Sequence, residues 1–458
     1  MSALVVSRDI ADELRALASL GIESAGVLEC AIASTEGSIK LIATGFTPVP
    51  DEAYDRRDSF GLSIGSDGYI HALKAASRQK RVALWLHTHP GPDSSTRPSD
   101  HDRRVDDDIR GLFASRTGSG RYGAIVIGAG GAHPFRFTGF LEGEGGGPID
   151  SVIILDSGLE LVPADGSYAE EVGEIHSRHV IAFGDQVPRT IASLQFAVVG
   201  CGGTGSAVAE QLVRLGARRL LLIDDDDLSL SNTTRVYGST RADVGRAKIA
   251  VLRDHLIRIA PDARIEAVSG RITEQCIARR LVAMEVTFGC TDDNSGRMRL
   301  ARLAYIGATL TIDVGVTIEP GPEGEIRGIH GRVTVMHPGA PCLLCRGRID
   351  LARAAAEERT LAENARLEAE GYAPGLGITD PAVIAYTTAV ASAAVGELIE
   401  RLVGFGLPPR PSEILFRFHD REMRLNDGTG RSGCYCDMAN TDRPVGDVTP
   451  FLGVNWVK

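Results

Sequence analysis

A glycine-rich loop in the second half of the chain limits the possible folds more than any other stretch of the sequence. GCGGTGS (Gly200–Ser206) follows the apolar strand FAVVG and precedes a helical pattern, AVAEQLVRLGA. Because glycines lack side chains, backbone N–H groups there can approach phosphates at the positive end of a helix. This order of strand, loop and helix predicts a nucleotide-binding α/β unit.

Further apolar strands alternate with helix-length patterns and predict the rest of the sheet. They are RLLLID (Arg219–Asp224), RIEAVSG (Arg264–Gly270), VTFGC (Val286–Cys290) and LTIDVG (Leu310–Gly315). Such alternation favours a parallel, doubly wound sheet. An acidic run, Asp224–Asp227, follows the glycines by about 20 residues, where an acid binds a ribose hydroxyl in such folds. On these features alone, a dinucleotide oxidoreductase is one possible function.

Polar and cationic residues downstream of the loop favour a different chemistry. Asn232 and Arg235 lie in LSLSNTTR, Lys248 lies in VGRAKI, and Asp292 and Arg297 follow another strand. A hydride-transfer enzyme needs no such cluster of phosphate-binding cations around its cofactor. An enzyme that cleaves ATP does, because charge on the leaving pyrophosphate must be neutralised.

These positions, taken in order, resemble the ThiF/MoeB/HesA family of ubiquitin-activating-like adenylating enzymes. The resemblance implies that ATP lies on the glycine loop, that Asp226 binds the ribose, and that Asp292 holds Mg²⁺ near the α-phosphate. It also implies an N-terminal arm whose arginine, Arg178, crosses to the ATP of a second copy in a homodimer. The nucleotide-binding residues predicted in this way are Gly200, Gly202, Gly203, Gly205, Asp224, Asp226, Asn232, Arg235, Lys248 and Asp292.

A second motif, HTHP, follows the apolar strand VALWL in the first half of the chain. Residues i and i+2 of a strand face the same side, so His87 and His89 can present both imidazoles to one ion. Asp102, in the first turn of a predicted helix, could supply a third ligand and leave one tetrahedral position open for water. The alternative is that Ser99 and Asp102 only form an N-cap with an acidic first turn.

The stretch HTHPGPDSSTRPSDHD resembles the JAB/JAMM (Mov34/MPN) metalloprotease family. The resemblance implies that His87, His89 and Asp102 bind a catalytic zinc and that Ser99 helps to hold the transition-state oxygen. It implies that Glu23 is the general base. The expected reaction is hydrolysis of the bond that follows a C-terminal glycine.

Four of the eight cysteines form two close pairs late in the chain, and the other four are scattered singly. Together the pairs could build a tetrahedral thiolate site for a structural zinc, such as related adenylating enzymes often carry. The alternative is four ordinary thiols. Unpaired cysteines with one metal site are typical of a reducing cytoplasm. The predicted ligands are Cys342, Cys345, Cys434 and Cys436.

Composition excludes several classes of partner. The net charge of −11 argues against nucleic acid and anionic membranes, which require clustered Lys and Arg. No stretch approaches the roughly 20 apolar residues of a membrane span. The N-terminus predicts an amphipathic helix rather than a signal peptide, so we expect a cytoplasmic protein. The charged run Leu351–Glu370 predicts a solvated or mobile helical excursion.

Length and motifs together predict an α/β fusion protein of two domains. A JAB/JAMM α+β domain is expected at 1–160 and a Rossmann-like doubly wound adenylating domain at 165–458. The main hypothesis is a bifunctional enzyme of a prokaryotic ubiquitin-like pathway, which cleaves after the C-terminal glycine of its protein partner and adenylates that C-terminus. One alternative is activation of a sulfur-carrier protein or small peptide for thiocarboxylate or cofactor biosynthesis. Another is an inactive binding scaffold.

Overall fold

The computed structural model describes residues 2–456 except 36, 92–94, 132, 167, 169–172, 360–362, 365, 367–380 and 441. Within the chain, contacts define two units. Unit 1 comprises Met1–Tyr168 together with Val445–Asp447, and unit 2 comprises Ala169–Pro444 together with Val448–Lys458.

Unit 1 is built on a nine-stranded mixed sheet with the order β11-β10-β1-β3-β2-β6-β7-β8-β9. Strands β4 and β5 form a separate two-stranded sheet. The strands are β1 (Ser2–Val6), β2 (Ala25–Thr35), β3 (Ser38–Pro48), β4 (Tyr54–Arg57), β5 (Leu62–Ile64), β6 (Val82–His89), β7 (Gly123–Ala129), β8 (Phe135–Leu141), β9 (Gly147–Pro148), β10 (Ser151–Leu155) and β11 (Leu159–Pro163). The helices are α1 (Arg8–Ala18), α2 (Asp67–Arg78) and α3 (Asp100–Thr117).

Both faces of this sheet are covered, which explains why β6 is apolar at consecutive positions. Leu84 and Leu86 join the core cluster that contains α1, whereas Ala83 and Trp85 join the cluster that contains α2 and α3. Successive side chains of a strand point to opposite faces, so a strand between two helical layers needs apolar residues throughout. The strand ends in His87–His89, which places the histidines at the margin of this core.

Unit 2 contains an eight-stranded sheet with the order β14-β13-β12-β15-β16-β17-β18-β19. Its strands are β12 (Gln195–Val199), β13 (Arg219–Ile223), β14 (Arg264–Val268), β15 (Val286–Gly289), β16 (Leu310–Pro320), β17 (Ile326–Met336), β18 (Glu413–Arg417) and β19 (Glu422–Leu425). Its helices are α4 (Ser177–Phe183), α5 (Gln186–Ser193), α6 (Gly203–Leu215), α7 (Lys248–Ile259), α8 (Gln275–Arg280), α9 (Asn294–Ile306), α10 (Leu351–Glu357) and α11 (Ile384–Val403).

The predicted Rossmann-like α/β architecture is confirmed for unit 2. Strands β12 to β16 are parallel, and the order reverses at β12, which lies between β13 and β15. The sheet then continues with three antiparallel strands, which the sequence does not predict as part of it. The first of these strands, β17, is antiparallel because a short hairpin rather than a crossover helix joins it to β16.

No helix in the portion of the chain that the structure describes combines the length and apolar character required to cross a bilayer.

Candidate functional site

The glycine loop of unit 2 has a backbone that only glycine tolerates. Gly200 has φ +88°, and a Cβ there would lie 2.6 Å from the Cys290 carbonyl oxygen. A Cβ on Gly205 would lie 1.8 Å from the Gly200 carbonyl oxygen. The loop is fixed to the end of β13, because Asp224 Oδ2 accepts a 2.7 Å hydrogen bond from the Cys201 N–H. The missing side chains of these glycines therefore allow the backbone of the loop and the first turn of α6 to pack closely at the end of the sheet.

This loop borders a cavity of about 800 Å³ at the carboxyl ends of β12, β13, β15 and β16. Ligands of doubly wound sheets bind at this edge, where the strand order reverses. Gly202, Gly205 and Asn232 are not among the residues that line the cavity: Gly202 is the N-cap of α6, and Asn232 completes a capping box with Ser229. The predicted residues that line the cavity are Gly200, Gly203, Asp224, Asp226, Arg235, Lys248 and Asp292.

Acidic and basic groups are paired around the mouth of the cavity. Lys248 Nζ lies 2.6 Å from Asp226 Oδ2 and 4.0 Å from Asp224 Oδ1. Burial raises the pKa of Asp224, and the charge of Lys248 opposes that rise. The stem of Arg235 passes close over Gly203, where an added Cβ would lie 3.2 Å from it. Two cations are thus held beside the glycine loop, as binding of a polyphosphate requires.

Two neighbouring aspartates after β15 have different roles. Asp293 caps α9 by accepting hydrogen bonds from the Gly296 N–H, the Ser295 hydroxyl and the Thr291 hydroxyl. Burial would raise the pKa of Asp293, but these hydrogen bonds lower it below its usual range. Asp292 also lines the cavity, where an oxygen ligand suits Mg²⁺. The Asp224–Asp226 carboxylates, three oxygen donors within 4.8 Å, are a second set with suitable chemistry.

Several lining residues were not predicted as site residues. Gly315 of β16 lines the cavity, and buried Asp313, two positions earlier, accepts a 2.6 Å hydrogen bond from Arg332. Arg353 and Glu357 of α10 also line the cavity. The charged run is therefore not simply solvated where the structure describes it, which corrects the expectation for Leu351–Glu357. The rest of that run lies largely outside the described residues.

In unit 1, the predicted metal ligands converge. His87 Nε2 lies 3.2 Å from Asp102 Oδ1, and His89 Nε2 lies 3.3 Å from Asp102 Oδ2. The three donor atoms lie within 4.8 Å of one another, and neither ring nitrogen of buried His87 has a hydrogen-bond partner among the described residues. Unpartnered donors of this type fit a divalent metal ion such as Zn²⁺.

Hydrogen bonds around the three residues orient His89 and Asp102. His89 Nδ1 lies 2.6 Å from the Ser95 carbonyl oxygen, which fixes the tautomer that leaves Nε2 as a lone-pair donor. Ser99 caps α3 by accepting from the Asp102 N–H, and Asp102 accepts from the Ser99 N–H. Burial would raise the pKa of Asp102, but the neighbouring imidazoles of His87 and His89 and the hydrogen bond with Ser99 place it well below its usual range. The capping role of Ser99 is therefore observed, and its role toward a reacting oxygen stays a prediction.

Glu23 lies in the loop between α1 and β2 and is partly buried. Burial raises the pKa of its carboxyl, and the electrostatic influence of the neighbouring His87 and His89 opposes this rise. The structure therefore brings Glu23 within the electrostatic reach of both histidines, although they are more than 60 residues apart in sequence.

The two cysteine pairs of unit 2 form one cluster. The four sulfurs lie within 4.8 Å of one another, with Cys342 3.7 Å from Cys434 and Cys345 3.6 Å from Cys436. A hydrogen bond from Cys436 lowers the pKa of Cys342 to about 5, whereas the pKa of Cys436 is raised. Because four thiolate donors at this spacing fit tetrahedral Zn²⁺, the cluster is a candidate structural zinc site.

The first turn of α4 carries Arg178, which is exposed to solvent. It is not among the residues that line the nucleotide cavity of its own chain.

The reversed strand order, the glycine loop and the cations at the cavity define unit 2 as a nucleotide-binding α/β domain equipped to act on phosphates. The model of the ThiF family matches residues 176–433, more than half of the chain. The chain belongs to the ThiF family, and unit 2 is its adenylating domain of the ThiF/MoeB type.

Curated relatives carry related descriptions. The chain is 28% identical over 244 residues to the molybdopterin-synthase adenylyltransferase of Escherichia coli, covering 52% of this chain and 85% of that protein. It is 32% identical over 106 residues to the sulfur carrier protein ThiS adenylyltransferase of E. coli, covering 23% and 42%. It is 31% identical over 176 residues to the ubiquitin-like modifier-activating enzyme 5 of Caenorhabditis elegans, covering 36% and 40%.

One solved structure similar to this chain is that of E. coli MccB with ATP. The two are 14% identical, with a TM-score of 0.45, over 60% of this chain and 76% of that one.

Proposed function

We propose that unit 2 adenylates the C-terminal carboxylate of a small protein with a ubiquitin-like fold that ends in glycine. The observation that carries the proposal is the convergence of Arg235, Lys248 and Asp292 on the cavity beside the glycine loop. A carboxylate oxygen attacks the α-phosphorus of ATP, and the bond from that phosphorus to the β-phosphate bridging oxygen breaks. The products are an acyl-adenylate and pyrophosphate, with no net proton transfer.

Each group in the cavity has a role in this reaction. The glycine loop and the start of α6 bind phosphate oxygens through backbone N–H groups. Arg235 and Lys248 neutralise the charge that builds up on the departing pyrophosphate. Asp292 would hold Mg²⁺, which supplies charge neutralisation at the α-phosphate when it is bound. Asp226, at the end of β13, would bind the ribose.

Among possible carriers, we favour a sulfur-carrier protein over a conjugated modifier. The chain covers 85% of the molybdopterin-synthase adenylyltransferase of E. coli, whereas it covers 40% of the ubiquitin-like modifier-activating enzyme 5 of C. elegans. Activation of a modifier for conjugation stays the second use of the same chemistry.

We further propose that the acyl group passes to a separate acceptor without a thioester on this chain. Burial raises the pKa of both Cys201 and Cys290, and the zinc cluster would occupy four further thiols. Cys30 is buried in unit 1, which leaves Cys276 as an exposed single thiol. Non-reducing electrophoresis after incubation with carrier, ATP and Mg²⁺ should show no covalent complex. A thiol-sensitive band that Cys276→Ser removes would contradict this.

The adenylation proposal is tested by ATP–pyrophosphate exchange. The probes are small proteins of ubiquitin-like fold that end in Gly-Gly, the sulfur carrier ThiS among them. We expect carrier-dependent exchange in the wild type and none with Asp292→Ala. If the folded wild type shows no pyrophosphate exchange with any of these carriers, the scaffold hypothesis is favoured.

A homodimer that shares Arg178 between copies makes a sharper test possible. Arg178→Ala and Asp292→Ala chains should each be inactive alone. In a mixed dimer, the Arg178→Ala chain keeps Asp292 and receives Arg178 from its partner, so exchange should return. If light scattering reports monomers, or if mixing restores nothing, Arg178 does not act in a second copy.

A second function is proposed for unit 1: zinc-dependent hydrolysis of the bond after the C-terminal glycine of the same carrier. The observation that favours it is the convergence of His87, His89 and Asp102, with the tautomer of His89 fixed by the Ser95 carbonyl. Zn²⁺ bound there would supply a Lewis acid and lower the pKa of water. Glu23 would take the proton from the attacking water and pass it to the leaving amine.

A further inference from the structure

The loop that carries Glu23 is held by backbone contacts from another segment. Residues 19–24, between α1 and β2, lie outside helix and strand. The Glu23 N–H donates a 2.8 Å hydrogen bond to the Asp58 carbonyl oxygen, directly after β4. Arg57 Nε donates a 3.1 Å hydrogen bond to the Glu23 carbonyl oxygen. Both backbone groups of Glu23 are therefore bound to residues at the end of β4.

The guanidinium of Arg57 binds more than one residue of this loop. It also donates a hydrogen bond to the Ser24 hydroxyl and pairs with the Asp51 carboxylate. The guanidinium carbon lies 4.4 Å from the ring centre of Tyr54, and the Tyr54 hydroxyl accepts a 2.9 Å hydrogen bond from the Ala25 N–H. The planar guanidinium of Arg57 thus donates hydrogen bonds to two consecutive residues and packs on the ring of Tyr54.

Such a contact matters because a general base acts only within hydrogen-bond reach of its proton. Gly21 and Ile22, which precede Glu23, are exposed and provide little packing to hold it. Displacement of a reacting group by about 1 Å can cost on the order of 100-fold in rate. The Arg57 side chain, by contrast, is 18% exposed and makes contacts from both ends of its guanidinium.

We propose that Arg57 is the positioning residue for Glu23, a role that rests on the proposed hydrolase function of unit 1. Arg57 binds the main chain of Glu23 and the side chain of Ser24. It therefore fixes the backbone from which the Glu23 side chain extends, and with it the orientation of the carboxylate. Its removal should lower kcat while substrate affinity and metal binding persist. Arg57→Lys should keep part of the wild-type kcat, because the lysine ammonium can bind one of these oxygens but cannot bind both in the way that the planar guanidinium does.

The test compares Arg57→Ala, Arg57→Lys and the control Arg15→Ala, which removes the same charge from an exposed position on α1. The substrates are the Gly-Gly carriers used above, each with a short C-terminal peptide extension. We expect Arg57→Ala to lower kcat about 100-fold with KM and zinc content unchanged. Arg57→Lys should lie between Arg57→Ala and the wild type. Hydrogen exchange at residues 20–25 should accelerate in Arg57→Ala and not in Arg15→Ala.

The outcomes separate this inference from the hydrolase proposal. If the wild type cleaves none of the extended carriers, or if Glu23→Gln cleaves as the wild type does, the hydrolase proposal is wrong, whereas hydrogen exchange still reports whether Arg57 holds the loop. If Glu23→Gln is inactive but Arg57→Ala keeps the wild-type kcat, the positioning role is wrong. Loss of zinc in both Arg57 variants, or a folded Arg57→Lys as impaired as Arg57→Ala, would also overturn it.

Discussion

The nucleotide cavity of unit 2 and the histidine cluster of unit 1 are assembled in different ways. In unit 2, the lining residues come from the carboxyl ends of parallel strands and from the segments between them, and they extend from Val199 to Thr387. In unit 1, the three candidate ligands lie within 16 positions, from His87 to Asp102, at the end of one strand and the start of one helix. The first site depends on sheet topology, and the second depends on the end of β6 and the capped start of α3.

This difference explains what supports each assignment. A set of residues spread along an entire domain carries enough information for a family match, and the ThiF match spans residues 176–433. A short cluster depends instead on the contacts around it, such as the hydrogen bond between His89 and the Ser95 carbonyl. The assignment of unit 1 therefore needs tests of metal binding and cleavage. For unit 2, where the family is established, substitutions can test the role of each residue.

The largest effects are expected in the cavity of unit 2. Arg235→Ala and Lys248→Ala should each lower the rate of carrier-dependent pyrophosphate exchange about 100- to 1000-fold, because each removes a charge that stabilises the departing pyrophosphate. Arg241→Ala is the matched control, since Arg241 is exposed on a neighbouring turn. Equal losses in all three variants would mean that overall charge, rather than the cavity, supports exchange.

Much of the fold of unit 2 could be predicted from sequence, because the apolar periodicity of strands and helices is a local signal. The loop could be predicted as well, because its tight backbone requires glycine for steric reasons. The residues that were missed came from tertiary contacts. Gly315 is an ordinary strand residue in the sequence, and only the position of β16 in the sheet places it at the cavity. Arg353 and Glu357 belong to a charged run whose composition predicts solvent exposure, yet α10 places them at the cavity.

In unit 1 the ligand pattern was predictable, but its supporting contacts were not. The pairing of His89 with Ser95 and the contacts of Arg57 join segments whose spacing follows no sequence rule. The N-cap alternative for Ser99 was visible in sequence, and the structure contains that cap.

Metal content should separate the two candidate zinc sites. Wild-type protein should contain about two zinc ions per chain, and each ligand set removed should release one of them. His87→Ala with His89→Ala, and Cys434→Ser with Cys436→Ser, are the two variants for elemental analysis, and His71→Ala on α2 is the control. An unchanged zinc content in either double variant would mean that the substituted residues do not bind zinc.

The smallest effect is expected at Ser99. Ser99→Ala should lower the free energy of unfolding by about 1 kcal/mol, because it removes the N-cap of α3, whereas Ser99→Asn can keep the cap. Denaturant unfolding measures this difference. If Ser99 acts only as a cap, Ser99→Asn should also cleave as the wild type does. Loss of cleavage in a stable Ser99→Asn would instead support the predicted contact with the reacting oxygen.

We propose that one chain carries two independent active sites, one in each unit. The most direct measurement records pyrophosphate exchange and cleavage of a glycine-extended carrier in the same preparations of Asp292→Ala and Glu23→Ala. We expect Asp292→Ala to lose exchange and keep cleavage, and Glu23→Ala to lose cleavage and keep exchange. Loss of both activities in either folded variant would contradict it.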